Sequence, residues 1–221
     1  MKAPDQPPHD CPLCPRLAAF RDANRQRYPD WFNGPVPSFG PLNASLLIAG
    51  LAPGLQGANR TGRPFTGDWA GDLLYATLLK HGLARGTYRE RPDDGLQLVN
   101  CRIANSVRCV PPQNKPEPLE IRTCRKFLMS ELKTLPKVKA ILALGKIAHD
   151  SVCDALEIRK ALHPFRHGAI YENVGGNIGK FTLVSSYHCS RYNTNTGVLT
   201  TAMFEDVVEK AKKAAGIGLQ T

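Results

Sequence analysis

Gly50-Leu51-Ala52-Pro53-Gly54, continued by Asn59-Arg60-Thr61-Gly62-Arg63-Pro64-Phe65-Thr66-Gly67-Asp68, decides the fold. The run before it, Ala44–Ala49, is apolar and predicts a buried strand. The run after it, Trp69–His81, predicts an amphipathic helix with Leu74, Leu78 and His81 on one face. The glycine-rich stretch is therefore a long loop at the carboxyl end of a strand, where open α/β sheets place their ligands. Glycine lets the backbone turn sharply and approach a ligand closely. Asp68, Phe65, Arg60 and Arg63 share this loop. The mixture suits a flat, uncharged ligand next to a phosphate.

The same alternation repeats on either side. Leu96–Cys101, Val138–Leu144 and Phe181–Ser186 predict three more buried strands, and Arg16–Arg27, Leu119–Leu135, Lys146–Leu156 and Val198–Ala215 predict helices. Arg159–Gly179 is expected to be loop-rich, and Tyr28–Leu42 to be an irregular segment wrapped over the core. Strands alternating with helices imply parallel pairing with helices on both faces. The expectation is a three-layer α/β/α sandwich of about four strands, one domain over residues 11–221, preceded by a disordered, polar and proline-rich stretch at 1–10. Long loops follow three of the strands, so they can converge on one edge of the sheet.

With 221 residues, 42% of them hydrophobic, the chain has enough material for one large core. No apolar run reaches ~18 residues, so no membrane-spanning helix is expected. The first ten residues lack the apolar segment of a signal peptide, which places the protein inside the cell. Lys and Arg outnumber Asp and Glu by 29 to 19, for a net charge of +10. That balance favours a polyanionic partner such as nucleic acid. Nothing in the sequence points to an oligomer, and a monomer is expected.

Seven cysteines in an apparently cytosolic chain argue against a disulfide framework. Cys11-Pro12-Leu13-Cys14 is a short chelating pair, and Cys109 and Cys124 form a second pair around a proline-rich loop. Four thiolates from two distant segments can hold zinc or an iron–sulfur cluster, and spacing alone does not separate the two. Cys101 and Cys153 fall within a strand and a helix, where simple burial explains them. The loop after the last strand, Tyr187-His188-Cys189-Ser190-Arg191-Tyr192-Asn193-Thr194-Asn195-Thr196-Gly197, is dense in polar donors. Asp68 and Asn105 hold corresponding places after two other strands.

Taken together these stretches resemble a known family. GLAPG…GANRTGRPFTGD is similar to motif one of the uracil-DNA glycosylase superfamily in its iron–sulfur branches. CPLC, with Cys109 and Cys124 around VRCVPPQNKPEP, resembles the four cluster ligands of those branches, and YHCSRYNTNTG resembles the closing motif of the family 5 (type b) enzymes. Leu51-Ala52 points to family 5, because family 4 relatives usually carry an acidic residue in place of Leu51. The resemblance implies an α/β/α sandwich with a four-stranded parallel sheet. It also implies DNA as partner, hydrolytic removal of uracil and other deaminated bases, and a structural [4Fe-4S] cluster on Cys11, Cys14, Cys109 and Cys124.

For the site it implies a flipped base stacked on Phe65, with Asn105 reading its edge and the backbone near Leu51 and Ala52 assisting. Asp68 would orient water, and His188 would donate to the base oxygen. Arg191 and Tyr192 become candidates to enter the minor groove or fill the gap left by the base; Arg60, Arg63 and Ser190 become candidates for phosphate contacts. Two departures stand out: Cys189 replaces the family's proline, and Tyr192 is bulkier than the expected glutamine. The alternatives are a non-catalytic iron–sulfur nucleic-acid-binding protein, a strict family 4-like uracil enzyme, and an unrelated zinc protein.

Overall fold

The computed structural model describes residues 3–218. Seven strands are formed: β1 Leu46–Gly50, β2 Ala84–Arg85, β3 Gln97–Leu98, β4 Cys101–Asn105, β5 Ala140–Leu144, β6 Ile170–Val174 and β7 Phe181–Ser186. The helices are α1 Pro15–Arg27, α2 Ala58–Thr61, α3 Trp69–Lys80, α4 Pro118–Thr134, α5 Lys146–Ala155, α6 Arg191–Asn195 and α7 Thr201–Ala214. The main sheet runs β4-β1-β5-β7-β6, with parallel pairing from β4 to β7. The four expected parallel strands are joined by a fifth, β6, which pairs antiparallel with β7 at the edge. Three of its five residues are exposed, so the stretch expected as loop lacked the apolar signature of its neighbours.

Each central strand is buried along its length and serves both layers by alternation. Leu46, Ile48, Leu142 and Val184 meet α3 and α7 through Leu74, Leu78, Phe204 and Val207. Leu47, Ala49, Ile141 and Leu183 meet α4 and α5 through Leu128, Leu132 and Val152. Thus β1 hands the chain to α3 on one face, while its neighbours β4 and β5 hand it to α4 and α5 on the other. Loops leaving adjacent strands toward opposite faces open a crevice at the carboxyl ends of those strands.

Two further expectations change. The second core strand is Cys101–Asn105, not Leu96–Cys101. Asn100 takes φ +55° and kinks the apolar run, so that Gln97–Leu98 pairs with Ala84–Arg85 in a separate ribbon. Residues 3–10, expected to be disordered, lie against α4. The Asp5 N–H donates to Ser130 Oγ at 2.8 Å, and Gln6 Nε2 donates to Glu131 Oε1 at 2.9 Å. Buried Arg108 and Arg102 surround the same glutamate, Arg102 Nε at 2.7 Å, so a polar network holds the strap. The first two and last three residues, which fall within the expected disordered stretch and the expected domain, lie outside the described residues. Among the described residues no helix is long and apolar enough to cross a membrane.

Candidate active site

The crevice holds a cavity of about 370 Å³ lined by Leu51, Ala52, Phe65, Asp68, Asn105 and His188, among others. The loops after β1, β4 and β7 therefore converge as their topology requires, and all six residues expected to contact or act on a base share one cavity.

The β1 loop is held from beneath by a buried ion pair. Arg63 makes a forked contact with Asp94, at 2.8 and 2.7 Å, and Nε donates to Thr66 Oγ1 at 2.7 Å. The guanidinium lies over the rings of Phe39, Tyr75 and Tyr88 at 5.3 to 5.8 Å. Burial alone would raise the Asp94 carboxyl; the Arg63 fork and the N–H groups of Arg89 and Leu96 hold it well below the usual carboxylate range. The expectation that Arg63 contacts phosphate is thereby corrected: the side chain is only 5% exposed and fully engaged. Arg60 stays exposed, with Nε donating to the Gln56 carbonyl.

This scaffold forces Phe65 into φ +52°, a left-handed conformation uncommon for a bulky residue. Strain of roughly 1–3 kcal/mol is typical of residues so held, and they cluster at functional sites. The crowding that enforces it is visible at Gly71, where any Cβ would lie 1.9 Å from the Phe65 carbonyl oxygen. The ring faces His188, with centroids 6.1 Å apart and planes 29° from parallel. Gly50 makes room for both base-reading groups: a Cβ there would lie 2.3 Å from Asn105 Oδ1 and 2.8 Å from the Phe65 ring. Asn105 is 3% exposed, and Oδ1 has no hydrogen-bond partner among the described residues. A buried, unpaired acceptor is costly unless a ligand supplies the donor, and Asn105 is part of the cavity wall.

Asp68 is the N-cap of α3, and Oδ1 accepts from the Gly71 N–H at 3.1 Å. The structural and catalytic readings of this carboxylate are compatible, because Oδ2 is on the other side, against Gly54 and Gly57. A Cβ on Gly57 would sit 2.4 Å from it. Burial raises the Asp68 pKa, partly offset by the N–H groups of Gly71 and Ala70. Burial lowers that of His188, whose ring nitrogens make no protein hydrogen bond among the described residues. Burial thus disfavours the charged form of both groups, and His188 is the neutral imidazole at neutral pH.

Cys189, in the place of the family proline, is fully buried, and its thiol donates to the Ala70 carbonyl at 3.4 Å. The cysteine thus ties the His188 loop to the first turn of α3, a constraint the fixed φ of proline would supply differently. Ser190 caps α6 by accepting from the Asn193 N–H, and Asn193 Nδ2 donates to the His188 carbonyl at 2.8 Å. The Ser190 hydroxyl accepts from its own helix and keeps its O–H to donate, while Arg191 and Tyr192 stand exposed beside the mouth. Among the lining residues that sequence reasoning missed are Trp69 and Asn114. The signal for Trp69 was its place next to Asp68, hidden by its fit as the first helical residue.

A second, small cavity is ringed by Cys11, Cys14, Cys109 and Cys124, with Leu17, Val107 and Phe127 around them. All four thiols are free. Cys109 is pushed up to about 12 and Cys14 to about 11, each first by burial and then by neighbouring cysteines of the set. Among the described residues no three potential ligands close on a point the size of a single ion.

The chain is similar to known proteins over most of its length. Residues 37–212 match the uracil DNA glycosylase superfamily. A type-5 uracil-DNA glycosylase of Thermus thermophilus is 46% identical over 213 residues, covering 94% of each chain. One from Mycobacterium leprae is 40% identical over 215 residues, 94% of this chain and 92% of its own. A type-4 enzyme of Pyrobaculum aerophilum is 32% identical over 122 residues, about half of each chain. A crevice built from three strand ends, a motif-one loop that delivers Phe65 and Asp68, and a match over most of the length lead to one assignment: the chain belongs to the uracil DNA glycosylase superfamily.

Proposed function

We infer that this chain is a uracil-DNA glycosylase of DNA repair, hydrolysing the N-glycosidic bond of a base extruded from DNA. The observation that carries this reading is the buried, unpartnered Asn105 Oδ1 sharing one cavity with Phe65, Asp68 and His188. A flipped base stacks on Phe65. The base supplies an N–H to Asn105 Oδ1. The neutral His188 donates an N–H to the base oxygen as negative charge grows there. The glycosidic electron pair leaves with the base, the oxygen of a water bonds to the sugar carbon, and the water's proton passes to Asp68. The leaving base anion is protonated from solvent. Asp68 also stabilises the positive charge that develops on the sugar.

The substrate range extends beyond uracil to other deaminated bases such as hypoxanthine. What supports this is the volume of about 370 Å³ and a wall of Leu51, Ala52, Pro53 and Gly54, where small side chains leave space for a purine. Partial occlusion of phosphate-facing cations leaves Arg60 and Arg191 as the exposed arginines of the original set.

The donor set around the second cavity fits a [4Fe-4S] cluster. Four cysteines ring it and apolar side chains enclose it. Cys11, Cys14, Cys109 and Cys124 would hold the cluster as thiolates. Its contribution is cohesion: it would fasten the segment before α1 to the loop that follows Asn105 at the end of β4. Iron and acid-labile sulfide in anaerobically purified protein test this; near-stoichiometric zinc with neither iron nor sulfide would overturn it.

Labelled oligonucleotides carrying uracil, hypoxanthine or no lesion, followed by alkaline cleavage of abasic sites, test the activity. Release of uracil and hypoxanthine, with none from the undamaged strand, is expected; tight binding without release from any lesion would overturn the enzymatic reading. The pH dependence is specific. Release rises in the acid range as Asp68 ionises above the ordinary carboxylate value, then stays level to pH 8, because His188 is already neutral below its ordinary value of 6.5. An alkaline fall centred near that value would mean that His188 acts as a cation.

A further inference from the structure

Trp69 is unusual among the aromatic residues of this protein. It is the first residue of α3, directly after Asp68, and lines the mouth of the cavity, yet it remains 47% exposed. An indole of that exposure on a free surface would usually be mobile. Here it is fixed: Nε1 donates to Thr194 Oγ1 at 3.0 Å, and the Arg191 guanidinium lies 5.5 Å from the ring centre. Both partners belong to α6, whose Asn193 holds the His188 carbonyl. Tyr192, on the same helix, is 74% exposed. A pre-oriented indole, a cation on its face and an adjacent exposed phenol thus border the opening through which a base enters.

From this geometry we propose that Trp69 is a stacking platform for the base next to the extruded nucleotide, in single-stranded DNA or in a duplex opened at the lesion. The proposal deepens the glycosylase reading and rests on it. Extruding one nucleotide unstacks its neighbours, and every base has a π-face that an aromatic side chain can cover. The hydrogen bond to Thr194 and the Arg191 contact hold the ring before DNA arrives, so little rotamer freedom is lost on stacking. Arg191 adds positive charge against the phosphate that joins the two nucleotides. Stacking on a fixed indole is indifferent to base identity, so the platform contributes affinity without sequence preference. Its largest effect falls on single strands, where no complementary strand holds the flanking base.

The test uses the full chain and a fluorescein-labelled single-stranded oligonucleotide containing 2′-fluoro-2′-deoxyuridine, whose glycosidic bond resists cleavage. The chain has two tryptophans; replacing Trp31, which is stacked on Tyr28, by phenylalanine isolates the emission of Trp69. Quenching of that emission is expected in parallel with the rise in fluorescein anisotropy. Trp69→Ala should weaken binding roughly 5- to 160-fold, the range for loss of one stacked base. Trp69→Phe should restore affinity to within about threefold, since a ring remains to stack. Thr194→Val, which removes only the hydrogen bond, should lose far less than Trp69→Ala. Emission unchanged at saturating DNA, or parental affinity in Trp69→Ala, would overturn the proposal and leave Trp69 as a tie between α3 and α6. Uracil release by the parent protein, measured in parallel on the cleavable strand, reports on the glycosylase reading separately. Its absence would undo that reading, whereas quenching and affinity answer for the platform.

Discussion

Asp68→Asn should slow uracil release by roughly 10²- to 10⁴-fold, the usual contribution of a positioned acid–base group, while making the protein more stable at neutral pH. The two effects share one cause. Burial raises the Asp68 pKa, so the charged form is disfavoured in the folded chain. An unfolded chain ionises this group near 3.8, whereas the folded chain keeps the proton to higher pH. The group's stabilising contribution is therefore complete below 3.8 and is lost as pH rises through the folded value. Above that value the charged carboxylate is the form the fold holds at a cost. Asparagine keeps the N-cap acceptor for the Gly71 N–H and removes the charge. Melting curves should show the variant above the parent at pH 7, with the gap closing as pH approaches 3.8. A variant that is slow but also less stable at neutral pH would mean that the carboxylate is structural first.

Asp94→Ala should lower stability by about 3–5 kcal/mol, the usual effect of stranding one member of a buried pair. For a chain of this size that is a fall in melting temperature of about 10 °C. Asp94 receives the Arg63 fork together with the N–H groups of Arg89 and Leu96, and its side chain is fully enclosed. Its removal leaves the guanidinium surrounded by Phe39, Tyr75 and Tyr88 with its charge uncompensated. The loop that carries Phe65 and Asp68 rests on that guanidinium through Thr66, so activity should fall with stability. Arg63→Lys should be nearly as damaging, because a lysine cannot reproduce the fork. Circular-dichroism melts of both variants check this; a melting point within about 2 °C of the parent would show the pair to be worth less than ~1 kcal/mol.

Much of this architecture was legible in the sequence, and the exceptions have definite causes. The continuous apolar runs at Leu46–Gly50 and Ala140–Leu144 could only be strands covered on both faces, and the chemistry-bearing loops had to follow them. Asn105 and His188 stood out because each sits at the end of or just past an apolar run, and Asp68 because it closes the long loop that follows one. Arg63 was misplaced because a buried and an exposed arginine look alike in sequence. Its acid partner is 31 residues away, and only the fold brings them together. Edge strand β6 escaped notice because one neighbour and solvent leave it no apolar pattern. The docking of residues 3–10 escaped notice because a proline-rich polar stretch normally cannot bury enough surface to order itself. Here the buried Glu131–Arg108 network supplies polar partners instead. Trp69 was absorbed by the helix it begins, and its exposure became evident only once α6 was placed beside it.

The cavity at the ends of β1, β4 and β7 is proposed to receive the extruded base. The structure of the Asp68→Asn variant bound to uracil-containing DNA tests it most directly. In that complex the uracil is expected stacked on Phe65, with an N–H of its edge on Asn105 Oδ1 and His188 within hydrogen-bonding distance of a base oxygen. A base left stacked in the duplex, or held at another surface with this cavity empty, would contradict it.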